Sequence, residues 1–198
     1  MAIQTTGGKI HWNYFLALER DLESASRYVE FCDANYEVYS IEFAHLLFAA
    51  ASEVDVVAKL LCERFASGLP AENIIQYRTH IIASNALPDL LKSEVFIPRY
   101  GVRLTPWVDW KQNSPPIWWT SYNKVKHERD VHFAKATLKN ALNALAALLL
   151  LTYHHYRFAL APGQGLSLSV QDTTELLQPE PALLRLPKDH YRSLRVTE

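Results

Sequence analysis

"IEFAHLLFAAASEVDVVAKLLCERFA", Ile41 to Ala66, is the stretch on which the fold turns. Phe43, Leu47, Ala50, Val54, Val57 and Leu61 recur at alternating steps of four and three, the spacing of a helix that buries one seam against its neighbours. Ser40 offers an N-cap hydroxyl just before the run, and Gly68 and Pro70 stop it. The pattern predicts a helix over about 41–66, and the rest of the chain has to supply the helices that cover its seam.

Upstream, "HWNYFLALERDLESASRYVEF" sets Phe15, Leu18, Leu22, Ala25, Tyr28 and Val29 on one stripe, which predicts a first helix over about 12–32. Downstream, Pro115 and Pro116 open a third helix reaching about Arg129, since proline fits a first turn. "HFAKATLKNALNALAALLLLTYHHYRFAL" predicts a fourth over about 132–159. Its second half is apolar nearly all round, so it belongs at the centre of the fold or in an interface between copies.

Residues 69–115 read as an insertion over this core. "ENIIQYRTHIIAS" predicts a short amphipathic helix, about 72–84. In "SEVFIPRYGVRLTPWVDW" two β-prone runs flank Pro98 and Gly101, which makes a small hairpin (94–97 with 102–107) or an extended loop. Past residue 160, prolines at 162, 179, 181 and 187 predict an extended tail, with one short strand at "LSLSV", 166–170. The organisation is a bundle over 1–160 carrying the insertion, and a tail over 161–198 packed on it. With no alternation of strand and helix, the class is all-α.

At 198 residues the chain is long enough to bury a core without staples. Its net charge of −1 excludes a whole-surface electrostatic grip on nucleic acid or an anionic membrane, so any such grip must be local. The most apolar run, Ala141 to Leu151, is too short to cross a bilayer. The N-terminus shows no basic region followed by an apolar one, and Cys32 and Cys62 sit in apolar helical contexts. A cytoplasmic protein with two reduced cysteines is the expectation. No P-loop, Gly-x-Gly-x-x-Gly or Gly-x-Ser-x-Gly motif is present, and no cofactor is implied. Glu42 and His45 form a single Glu-x-x-His, whereas a carboxylate-bridged di-metal bundle needs two.

One segment suggests chemistry: "PPIWWTSYNKVKHERD", Pro115 to Asp130. On a helix, Trp119, Asn123 and His127 stack at i, i+4 and i+8, with Trp118, Tyr122, Val125 and Lys126 alongside. Lys124, Lys126, Arg129, Lys135 and Lys139 outnumber Glu128 and Asp130, so a neutral protein is basic here. Cations can hold a phosphodiester, an imidazole can move the proton of a ribose 2′-hydroxyl, and the faces of Trp119 and Tyr122 can stack on bases. The competing reading is packing, because tryptophans at a helix start usually lie under neighbours. Glu53, among apolar residues of the second helix, needs a partner, and Lys126, His127 and Arg129 are the candidates. Asp55 has Lys59 at i+4.

"WWTSYNKVKHER", followed by a long Ala/Leu-rich helix, resembles the HEPN superfamily of prokaryotic all-α domains. Their signature is an arginine, a polar residue (often asparagine), three variable residues and a histidine. Asn123 and His127 match the polar position and the histidine, while Tyr122 stands where the arginine would be. The resemblance covers about residues 12–66 and 115–159. It implies a four- to five-helix bundle, commonly a homodimer, often a metal-independent ribonuclease of a defence or toxin-type system. Carried onto this chain, His127 would be the acid/base, Asn123 would orient, and Lys126 or Arg129 would stand in for the missing arginine. Lys124, Lys126, Tyr122, Trp119 and Glu53 would complete binding. The alternative is a non-catalytic relative that binds a protein partner or ligand, and the tyrosine favours it.

Overall fold

The computed structural model describes residues 8–163 and 165–192. Seven α-helices, α1 (Ile10–Ala25), α2 (Ile41–Phe65), α3 (Ile74–Ala83), α4 (Ile117–His127), α5 (Arg129–His132), α6 (Leu138–Ala159) and α7 (Val170–Leu176), are joined by short 3₁₀ turns. Two strands, β1 (Val95–Ile97) and β2 (Val102–Leu104), make an antiparallel hairpin. The fold is all-α with a small hairpin.

The α2 seam is the centre. Leu47, Ala50, Val54, Val57 and Leu61 are all fully buried. The Ser40 hydroxyl caps the helix, accepting from the Phe43 N–H at 3.0 Å. Helix α6 lies along this seam and runs parallel to α2. Tyr39 bridges Thr137 just before both helices begin, and Phe65 meets Phe158 near where both end. Helix α4 runs the other way: Tyr122 meets Phe48, and Val125, near its end, packs on Ala44. Helix α1 is also antiparallel to α2, with His11 at its start touching Glu53 and Ala25 at its end sharing a cleft with Ser40 and Phe43.

Two helices are shorter than their periodicity predicts. α1 stops at Ala25, where the hydroxyls of Ser24 and Ser26 bond back to the carbonyls of Arg20 and Glu23. Tyr28 is left exposed. The expected 132–159 helix begins only at Leu138. The Thr137 hydroxyl accepts from the Asn140 N–H at 3.3 Å, and the Asn140 amide donates to the Lys135 carbonyl at 2.8 Å. These bonds fix a cap, so residues 129–135 fold as separate turns.

The hairpin is present over 95–97 and 102–104, closed by Gly101 with φ of 64°. Phe96 exchanges two backbone hydrogen bonds with Arg185 on its other side, drawing the tail in as a third element. The strand expected at "LSLSV" is absent. Ser169 instead caps α7, accepting from the Asp172 N–H at 3.1 Å. Farther on, Leu177, Leu183, Leu184 and Leu186 join the main core. The buried carboxylate of Glu19 accepts three backbone N–H groups of this strap, from Ala182, Leu183 and Leu184, at 2.8–2.9 Å. No helix among the described residues is long and apolar enough to cross a membrane.

Candidate functional site

Helix α4 starts where the Asp109 carboxylate accepts the Ile117 N–H at 3.0 Å. Its first two turns face inward. Trp118 and Trp119 are 3% and 7% exposed and Tyr122 8%. They continue an aromatic ladder from the insertion: Trp110 to Trp107 at 4.3 Å between ring centroids, Trp107 to Trp118 at 5.5 Å, Trp118 to Trp119 at 5.7 Å and Trp119 to Tyr122 at 5.5 Å. The Trp118 indole N–H donates to the Pro106 carbonyl at 2.9 Å. The stacking role expected of Trp119 and Tyr122 is therefore corrected: both rings are covered by neighbours, and they fasten the insertion to the bundle.

The ladder ends at a cationic surface. Tyr122 meets Phe48 of α2 edge-on at 6.0 Å. Lys126 Nζ sits 5.4 Å from the Tyr122 ring and Arg129 Cζ 4.9 Å from the Phe48 ring. Two exposed cations are thus held over one aromatic pair, and neither makes an ion pair among the described residues. Asn123 is half-buried beside them, and Lys124 and His127 are exposed. His127 closes the helix without a hydrogen-bond partner among the described residues, so nothing there fixes its tautomer or its direction. Glu128 turns away to His132, at 3.2 Å.

The rest of the basic run does not join this surface. Lys135 and Lys139 line a separate cleft of about 360 Å³ with Glu37, Ser121, His132 and Asn140. The first N–H groups of α6 are occupied: Leu138 and Lys139 donate to the carbonyls of Val38 and Tyr36 at 2.8 and 3.1 Å. That helix start therefore has few donors left for an anion.

Glu53 belongs elsewhere. Its expected partners Lys126, His127 and Arg129 are not the ones it finds. Its Oε1 lies 2.6 Å from His11 Nδ1, and both side chains are 15% exposed. From Phe48 to Glu53 the helix turns by about 140°, so Glu53 faces α1 and α6. His155 packs edge-on against His11 at 5.4 Å between centroids. Burial, then the neighbouring charges of His11 and Arg64, push the His155 imidazole down to about 4. The His11 N–H donates to the Tyr156 oxygen at 3.3 Å. No spacing rule links residue 11 to residue 53, and a histidine one position inside a first helix was the sole signal.

No family model, curated protein or solved structure matches the chain.

Proposed function

We propose that this chain is a HEPN-like helical protein that binds the sugar–phosphate backbone of RNA at the exposed end of α4. The observation that carries the reading is the placement of Lys126 and Arg129. Among the described residues they are two cations without counter-ions, steadied by the Tyr122–Phe48 pair; Asn123, Lys124 and His127 belong to the same helix as Lys126. A cation left exposed and unpaired, yet positioned, is suited to a phosphate that arrives from outside. Asn123 and His127, which match positions of the HEPN signature, lie on the same helix as Lys126.

Binding is favoured over cutting for two reasons. Tyr122, in the place of the signature arginine, is buried, and His127 has no group among the described residues that orients it. A cleaving centre would require a second copy to bring its own His127 or Arg129 across a dimer interface. A protein partner with an acidic surface is the competing ligand.

The test is a titration of labelled single-stranded RNA against salt, with a cleavage assay in the presence of a metal chelator. Binding that weakens with salt and drops in Lys126→Glu and Arg129→Glu is the expected result. Cleavage lost in His127→Ala would add the catalytic step. RNA affinity unchanged by both charge reversals sinks the reading.

A further inference from the structure

The cleft of about 360 Å³ between α4, α5 and the start of α6 has a polar, buried lining. Ser121 is 6% exposed and Asn140 8%, and both line it. A buried helix serine ordinarily turns its hydroxyl back to a carbonyl one turn earlier, as Ser24 does to Arg20 at 2.9 Å. The Ser121 hydroxyl makes no such bond and has no partner among the described residues. The Asn140 side chain donates to the Lys135 carbonyl at 2.8 Å, and its oxygen has no partner among the same residues. Neither oxygen is sealed from solvent as the Thr152 hydroxyl is. Two unpaired oxygens on nine-tenths-buried side chains, both reachable from one cleft, call for an explanation.

The charges in the wall favour an anion. Lys135 is half-buried and Lys139 exposed, and neither forms an ion pair among the described residues. Glu37, itself exposed, is the one carboxylate that lines the cleft, so two lysines face one acid. His132 is held by Glu128, at 3.2 Å. Because the first N–H groups of α6 are spent on Val38 and Tyr36, side chains have to meet the ligand. Ammonium groups beside a free hydroxyl suit a phosphate, whereas an amide oxygen only accepts and so suits a hydroxyl of the ligand. Ile117 and Val131, 62% and 69% exposed, add an apolar lip. A bare anion would leave that lip and the amide oxygen unused. The volume lies at the small end of metabolite sites, which run from roughly 300 to 1,000 Å³.

We propose that this cleft binds a free sugar phosphate. Its phosphate takes the charges of Lys135 and Lys139 and the hydroxyl proton of Ser121. A sugar hydroxyl donates to the Asn140 side-chain oxygen, and Ile117 and Val131 cover the carbon face of the ring. From Ser121 to Lys126 the helix turns by about 140°, so the site stands apart from the Lys126–Arg129 surface and does not rest on RNA binding there.

The probe is ribose 5-phosphate, titrated into the intact chain at constant ionic strength and neutral pH, with ribose and inorganic phosphate run in parallel. The readout is the backbone amide NMR signals of Ser121 and Asn140. Saturable shifts are expected, with ribose 5-phosphate binding more tightly than either of its parts. Ser121→Ala removes a hydroxyl that bonds to nothing among the described residues, so the bundle should stay intact. Affinity should nevertheless fall about tenfold or more, as for loss of a hydrogen bond to a charged group. Lys139→Gln should weaken binding severalfold, and Lys126→Gln should leave it unchanged. Signals that do not saturate, or that titrate alike in wild type, Ser121→Ala and Lys139→Gln, overturn the proposal. Inorganic phosphate binding as tightly as the sugar phosphate overturns it too. So does single-stranded RNA that shifts these signals where ribose 5-phosphate does not, since the cleft would then belong to the polymer.

Discussion

Glu19 and Arg129 both lack an ion-pair partner among the described residues, and they could hardly be treated more differently by the fold. Glu19 is buried on α1 and gives its carboxylate to three strap N–H groups at 2.8–2.9 Å. Arg129 is exposed and lies over the Phe48 ring. An unmatched charge inside is tolerated only when hydrogen bonds replace its water completely, and it then acts as a fastener. Outside, water solvates the same lack of a counter-ion, and the charge stays available to a ligand. Position, rather than charge, separates scaffold from handle here.

The sharpest way to break this comparison is Glu19→Ala. It leaves three backbone N–H groups, two of them buried, without an acceptor, and about 3 kcal/mol of stability should go, read by denaturant titration. Limited proteolysis should then cut the tail between 160 and 190 first. If the variant matches wild type in both assays, Glu19 is no fastener. Next in size is the ladder that joins insertion to bundle. Trp118→Phe removes the hydrogen bond to Pro106 and part of the indole packing, and a loss of about 1–2 kcal/mol is expected in thermal unfolding.

Acid should tell inside from outside as well. His154 and His155 have folded pKa values of about 3 and about 4, below the ordinary 6.5. The unfolded chain therefore binds protons that the folded one refuses. The stability tied to their neutral forms is complete above pH 6.5 and declines as pH falls through the folded values. His154→Phe should flatten that decline relative to wild type in a pH series of melting curves. An unchanged slope would remove His154 from the account.

The smallest effect is expected outside. Lys126→Ala with Arg129→Ala should change stability by less than about 0.5 kcal/mol. In RNA binding, the same pair should lower the log–log salt slope by about 1.4, that is about 0.7 for each phosphate no longer held. A large stability loss with an unaltered slope would make these cations scaffold.

Most of the bundle was legible because its helices are written in local spacing. The α2 seam and the Ser40 cap both stand where the sequence places them, and the hairpin forms around Gly101. Local hydrogen-bonding residues hid the rest. Ser24 and Ser26 end α1 early, Thr137 delays α6, and Ser169 turns an apparent strand into a cap. Such hydroxyls act on single backbone groups, a carbonyl for Ser24 and Ser26 and an N–H for Thr137 and Ser169, and leave hydrophobic periodicity untouched. At the site, the spacing of Asn123, Lys126 and His127 was readable, but the burial of Trp119 and Tyr122 was not. Trp119 packs on Trp118, and Trp118 in turn on Trp107, which comes from an insertion whose position no periodicity fixes. His11 and Glu53 are brought together only by tertiary packing.

The bond from Leu184 to Glu19 spans 165 residues. At synthesis rates of about 5–20 residues per second, roughly 8 to 33 s pass between the making of the carboxylate and the making of its partner. Helices form within microseconds. The newborn bundle thus waits, largely helical and without its strap, for an interval set by translation. Codon usage and chaperone supply while residues 161–184 are being made would then govern yield more than any propensity of the helices themselves.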